Sequence, residues 1–137
     1  MRDPFVDTDV LIRLLTGDDV AKQQAARRLF IQVEAGELVL QAPDTVIADA
    51  VFVLSSRVTY DLPRAEIREL LSTLLRLPNF RVDNRQTLLS ALDLYASGNL
   101  DFGDAMIAAS MLNTGTDQLY SYDRDFDRFP WLSRIEP

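Results

Sequence analysis

The stretch Pro4-Phe5-Val6-Asp7-Thr8-Asp9-Val10-Leu11-Ile12-Arg13-Leu14-Leu15 decides how the rest of the chain is read. Pro4-Phe5-Val6 is a short apolar run that stops at an acid, which suits a brief strand. Val10 to Leu15 carries one or two apolar helical turns, broken at Gly17. A strand handing over to a helix is the first half of a βα unit. The pattern recurs downstream. Asp18 stands as the cap of a long amphipathic helix with Val20, Leu29, Ile31 and Val33 among its apolar positions, ending near Gly36. Leu38-Val39-Leu40 reads as a second strand, and Pro43-Asp44-Thr45 as the start of a helix carried by Val46 to Leu54. Pro63 suits the first turn of another helix, striped by Ile67, Leu70, Leu71, Leu74 and Leu75. Phe80-Arg81-Val82 is a third strand. Helices over Leu88–Ala96 and Phe102–Leu112 follow, the first ended by Gly98. Leu119-Tyr120-Ser121-Tyr122 is a fourth strand, Asp123 to Phe129 a turn or short helix, and Arg134-Ile135 a small last strand. Strands alternating with helices predict an α/β fold with a mainly parallel sheet of four to five strands and helices on both faces. In such sheets ligands sit beyond the carboxyl ends of the strands.

The bulk composition narrows the chemistry. The 137 residues fall in the usual size range of one domain, so residues 1–137 are expected to form a single unit. The chain has no Cys and no His. That removes thiolate nucleophiles, disulfides, thiolate zinc sites, imidazole bases and the Ser-His-Asp triad. Carboxylates, hydroxyls, thirteen Arg and the single Lys22 remain, together with any hard metal ion that oxygen ligands can hold. Sixteen Asp against five Glu is the compositional oddity. The net charge of −7 argues against a general polyanion-coating protein. It leaves room for a site where a bound cation reverses the local field. No apolar run approaches the ~20 residues of a membrane span. Asp3, Asp7 and Asp9 interrupt any basic-then-apolar leader, so a cytoplasmic protein without membrane association is expected.

Four acids stand out by position. Asp7 ends the first predicted strand and Asp123 follows the fourth, which places both at the predicted ligand edge. Asp104 shares a helical face with Ile107, Ala108 and Met111. Asp49 interrupts the apolar run Val46 to Leu54, with Val46 and Val53 on its own face. Buried carboxylates are costly unless paired, and several in one cleft repel one another. A divalent hard cation relieves that repulsion and can activate water against a phosphodiester. The bland reading of each acid is a turn or helix cap, and it suits Asp18, Asp19, Asp44 and Asp61 best. Asp125 and Asp127 alternate with Arg124 and Arg128 and read as a solvated charge patch.

These positions carry a resemblance that covers nearly the whole chain. Phe5-Val6-Asp7-Thr8-Asp9-Val10-Leu11-Ile12, Val46 through Leu54, Asp101-Phe102-Gly103-Asp104-Ala105-Met106-Ile107-Ala108-Ala109 and Ser121-Tyr122-Asp123-Arg124-Asp125-Phe126 resemble, in order, the four motifs of PIN-domain proteins of the VapC toxin type. The third is the most specific. The resemblance implies a three-layer α/β/α sandwich. It implies a Mg²⁺-dependent endoribonuclease, with Mn²⁺ as a substitute, whose acids are Asp7, Asp49, Asp104 and Asp123. It also implies a homodimer and a small VapB-like antitoxin from the same operon. The chain departs from the pattern at Asp49, where Glu is usual, at Asp9, where Asn is more common, and at Ser121, where Thr is usual.

On this reading Asp7 and Asp104 hold the principal ion, Asp123 adds a direct or water-mediated ligand, and Asp49 binds a second ion or orients water. Ser121 positions a ligand or substrate oxygen, and Asp9 and Asp101 lie beside the site. Substrate RNA needs local positive charge. Arg124 and Arg128 are the nearest candidates, ahead of Arg27-Arg28, Arg64 with Arg68, and Arg81 with Arg85. Two rivals stand beside this. A PIN module that only binds RNA or protein needs no metal. Asp7-Thr8-Asp9 also resembles the start of haloacid-dehalogenase-type phosphatases, whose first Asp is a nucleophile. That class, like phospho-receiver domains, wants a downstream Lys that this chain lacks after Lys22.

Overall fold

The computed structural model describes residues 2–137. The chain runs α1 (Thr8–Leu15), α2 (Val20–Glu34), β1 (Leu40–Ala42), α3 (Asp44–Ser55), α4 (Arg64–Leu75), β2 (Phe80–Val82), α5 (Arg85–Ser97), α6 (Phe102–Thr114), β3 (Gln118–Tyr120), a 3-10 turn (Arg124–Arg128) and β4 (Ser133–Ile135). The fold is α/β and the strand pairing is parallel throughout, as the sequence predicts. The expected sheet is divided into two ladders. β1 pairs with β2, and Phe5 adds a single bridge to Gln41 on the other side of β1. β3 pairs separately with β4. Pro4 offers only its carbonyl, which accepts the Gln41 amide at 2.9 Å, while the Val6 amide donates to the Gln41 carbonyl at 2.9 Å. A proline without an amide hydrogen shortens the ladder its segment can form.

Element boundaries follow local chemistry. Asp7, Asp19 and Asp101 cap α1, α2 and α6, each accepting a backbone amide of its own helix. The cap of α2 is therefore Asp19, bonded to the Lys22 amide at 3.1 Å, and not Asp18 as the sequence suggested. Asp18 is drawn away by the Tyr60 hydroxyl, 2.8 Å distant. The second strand lies two residues later than predicted. Leu40 and Ala42 alternate inward around Gln41, a period of two that Leu38-Val39-Leu40 does not offer. Helix α6 ends at Gly115, whose φ of 72° lets its amide reach back to the last carbonyls.

One main core fills the space among α1–α6, β1 and β2, with Leu11, Ile47, Leu54, Leu71, Phe80 and Leu92 fully buried. Phe30 meets Phe80 edge-to-face at 5.5 Å. On α6 the buried residues include Ala105, Ala108 and Ala109, small enough for α5 to pack closely against that helix. A second, smaller cluster of Met111, Phe126 and Leu132, with Leu119, Phe129 and Trp131, fastens the β3–β4 region onto the far end of α6. This anchorage fixes the 3-10 turn with respect to α6.

Candidate active site

Asp104 sits in the first turn of α6 because Asp101 ends the preceding loop as a helix cap. The Asp101 Oδ1 accepts the Asp104 amide at 2.8 Å. Two further side-chain turns fold the chain beyond β3. The Ser121 hydroxyl accepts the Asp123 amide at 3.0 Å, and Asp123 Oδ1 accepts the Asp125 amide at 2.9 Å. These bonds bring Asp104, Asp123 and Asp125 together, with one carboxylate oxygen from each lying within 4.8 Å of the others. Asp104 is half-buried and the other two are exposed. Its carboxyl is pushed above the ordinary range, first by burial and then by the negative charges of Asp101, Asp123 and Asp125 and a hydrogen bond with Asp123. This is the electrostatic state of a carboxylate cluster whose charge a cation would relieve. An all-oxygen donor set at this spacing, on a chain without His or Cys, fits a hard divalent ion and no thiophilic one.

Asp7 and Asp49 lie in an open cleft of about 570 Å³ between α1 and the α3–α4 connection, together with Asp9, Arg13, Phe52 and Tyr60. Asp7 combines two tasks. Its Oδ1 accepts the Thr8 amide at 2.6 Å as the cap of α1, and its exposed carboxylate faces this cleft. Asp49 is also exposed. The expectation that it lies on a buried apolar face is corrected, because α3 buries Val46, Ile47, Ala50, Val51 and Leu54 instead. Phe52, in the same apolar run, is 75% exposed, so an unbroken run of apolar letters overstated the burial of this helix. Asp7 and Asp49 do not join the Asp104 trio at ligand spacing. The four predicted acids thus form two groups, Asp7 with Asp49 and Asp104 with Asp123. Helix α3, which carries Asp49, packs against both α1 and α6.

Two acids read differently in three dimensions. Asp125, expected in a solvated charge patch, is the third member of the Asp104 trio. Its sequence signal is the Asp-x-Asp spacing of an Asx turn, in which the first carboxylate caps the backbone amide of the second. Asp127 pairs with Arg134 at 2.9 and 3.2 Å, not with Arg124 or Arg128. Arg134 also reaches Glu136 at 2.9 Å and the Ser121 carbonyl at 3.1 Å, so it braces the strand end that bears Asp123. That pairing holds the Asp127 carboxyl below its usual range.

The cations divide similarly. Arg128 donates from Nε to the Asp125 carbonyl at 3.0 Å and packs over Gly98, where an added Cβ would meet its Nη1 at 3.0 Å. Arg124 is exposed and makes no ion pair among the described residues. Arg64 is not free for substrate. It lies 4.2 Å over the Tyr95 ring and donates to the carbonyls of Tyr95 and Leu100. Arg68 and Arg81 pair with Glu69 and Asp3.

Comparison with known proteins places the chain in a family. The profile of the PIN domain matches residues 5–132. A VapC ribonuclease of Aquifex aeolicus is 25% identical over 124 residues, spanning 90% of each chain. Among solved structures, Mycobacterium tuberculosis VapC20, described as a sarcin-ricin loop cleaving toxin, is matched at 20% identity and a TM-score of 0.43, over 98% of this chain and all of the other. No helix of the described residues is long and apolar enough to cross a membrane. The chain belongs to the PIN-domain family.

Proposed function

We propose that this protein is a metal-dependent endoribonuclease that hydrolyses RNA phosphodiester bonds, the toxin of a VapBC-type pair. The observation that carries the reading is the trio of Asp104, Asp123 and Asp125, in which burial and the acidic neighbours push the Asp104 carboxyl above its ordinary range. Membership of the PIN family and the resemblance to a VapC ribonuclease support the same chemistry.

Asp104 and Asp123 are the principal ligands for Mg²⁺ or Mn²⁺, with Asp7 and Asp49 contributing from the cleft beside α1. When bound, such an ion supplies charge neutralisation and Lewis acidity for in-line attack of water on phosphorus. The chain's own residues do the rest. Asp101 fixes the backbone of Asp104, and Ser121 fixes that of Asp123, so the points from which the two carboxylates project are set. Asp125 adds a third oxygen donor beside them. Asp9 adds negative charge at the cleft edge, two residues from the Asp7 cap. Arg124, beside Asp123 and without an ion pair, contacts an RNA phosphate at the site's rim, whereas Arg128 is committed to the Asp125 carbonyl. The protein acts in the cytoplasm as a homodimer and is neutralised by a small VapB-like antitoxin.

RNA cleavage by purified protein tests the reading, with Mg²⁺, with EDTA, and as Asp104→Asn. Cleavage is expected only in the first condition. Full activity in the other two refutes it, and RNA binding without cleavage in any condition favours a non-catalytic PIN module.

A further inference from the structure

One cation stands in the wall of the acidic cleft itself. Arg13 lies one turn beyond Asp9 on α1 and lines the cleft with Asp7, Asp9 and Asp49. Its side chain is 34% exposed, yet its ion pair is with none of those acids. Nη1 instead lies 3.2 Å from Oδ1 of Asp18, in the turn between α1 and α2. The other Asp18 oxygen accepts the Tyr60 hydroxyl at 2.8 Å, and Tyr60 lines the same cleft from the α3–α4 connection, 42 residues away in sequence. Asp18 is thereby joined to both walls of the cleft. The Tyr60 bond first, with the Thr16 hydroxyl and the Arg13 charge, holds its carboxyl below the usual range, so it remains an anion at neutral pH.

This clasp anchors one end of a guanidinium whose other N–H donors have no protein partner among the described residues. A guanidinium carries five donors in a rigid fork that suits two phosphate oxygens at once. Anchoring by Asp18 restricts a side chain that would otherwise have to be ordered by the ligand. The location also answers a physical need. A strand of RNA approaching Asp7, Asp9 and Asp49 meets three negative groups on a chain of net charge −7. We propose that Arg13 binds a phosphate of the RNA strand as it enters this cleft, with Asp18 and Tyr60 as the positioning residues that aim it. The inference rests on the ribonuclease reading above and assigns it a substrate contact on the first helix, away from Arg124.

The test uses a fluorescein-labelled single-stranded RNA of mixed sequence, bound in Ca²⁺ and followed by anisotropy across a series of KCl concentrations. Arg13→Gln is expected to weaken binding several-fold and to flatten the dependence of log affinity on log salt by about 0.7, the signature of one lost single-strand phosphate contact. Arg13→Lys keeps the slope. Tyr60→Phe keeps the slope too, weakens binding, and shifts the Arg13 Nε–H NMR resonance. Because Arg13→Gln also breaks the Asp18 pair, a second measurement uses the intact protein. RNA is expected to protect Arg13 from phenylglyoxal, as mapped by mass spectrometry. Wild-type binding with an unchanged slope in Arg13→Gln, or with Arg13 unprotected, overturns this inference alone. Wild-type protein that neither binds the labelled strand nor cleaves RNA with Mg²⁺ overturns the ribonuclease reading, and this inference with it.

Discussion

The carboxylate of Asp101 both builds and strains the site of Asp104: its Oδ1 accepts the Asp104 amide at 2.8 Å, and its charge adds to burial in raising the Asp104 pKa. The two effects are separable by substitution. Asn caps a helix about as well as Asp but carries no charge. Asp101→Asn should therefore preserve stability while Asp104 ionises at lower pH, moving the pH midpoint of Mn²⁺ binding downward. Asp101→Ala removes the cap and should cost about 1 kcal/mol. Urea denaturation and Mn²⁺ titrations across pH read the two outcomes.

The raised pKa of Asp104 fixes the sign of a pH effect. Between the ordinary carboxylate range and its folded value, the native chain holds this proton more tightly than the unfolded chain does. Through that window its contribution to stability falls as pH rises. Asp104→Asn removes the repulsion, so without metal at neutral pH the variant should melt roughly 1–3 °C higher than wild type. Mn²⁺ should raise the midpoint of wild type and leave that of Asp104→Asn nearly unmoved. Thermal denaturation with and without Mn²⁺ checks both halves.

Asp125 and Asp127 are two residues apart and face different partners. Asp125 lies in the carboxylate trio, whereas Asp127 is held by Arg134. Asp125→Asn should weaken Mn²⁺ binding by about tenfold with little change in melting. Asp127→Asn should do the reverse, lowering the melting midpoint by unpairing Arg134. Parallel Mn²⁺ titration and calorimetry separate the two roles.

Asp49 replaces a residue that is usually Glu in the resembling motif. Its carboxylate is exposed at the edge of a cleft of about 570 Å³, so one more methylene meets no packing obstacle. Asp49→Glu should retain cleavage within about tenfold of wild type, while Asp49→Asn should fall at least as far as loss of an outer-sphere partner, roughly 10–100-fold. Initial rates of RNA cleavage distinguish the two variants.

Much of the architecture was legible because its signals are local. Gly36 and Gly98 fall at helix ends, and the Ile67–Leu71–Leu74–Leu75 stripe is buried where the period of 3.6 places it. The acid-to-helix junction at Asp7 also reads directly, since a cap is a bond between near neighbours, whereas the cap that Asp101 gives α6 went unread. Nonlocal partners were not legible. Asp18 looks like the better cap until Tyr60 takes its carboxylate, and Asp127 looks like a partner of its adjacent arginines until β4 brings Arg134 to it. Asp49 was misplaced for a different reason. A nearly continuous apolar helix has no contrast from which to tell its buried face. The division of the sheet into two ladders was likewise hidden, because three-residue strands carry little periodicity.

Mn²⁺ binding to wild type, Asp7→Asn and Asp104→Asn, followed by electron paramagnetic resonance, asks whether the two acidic groups serve one metal site. If they do, each substitution alone weakens binding by at least about tenfold. Asp7→Asn or Asp104→Asn binding Mn²⁺ as tightly as wild type would contradict a shared centre.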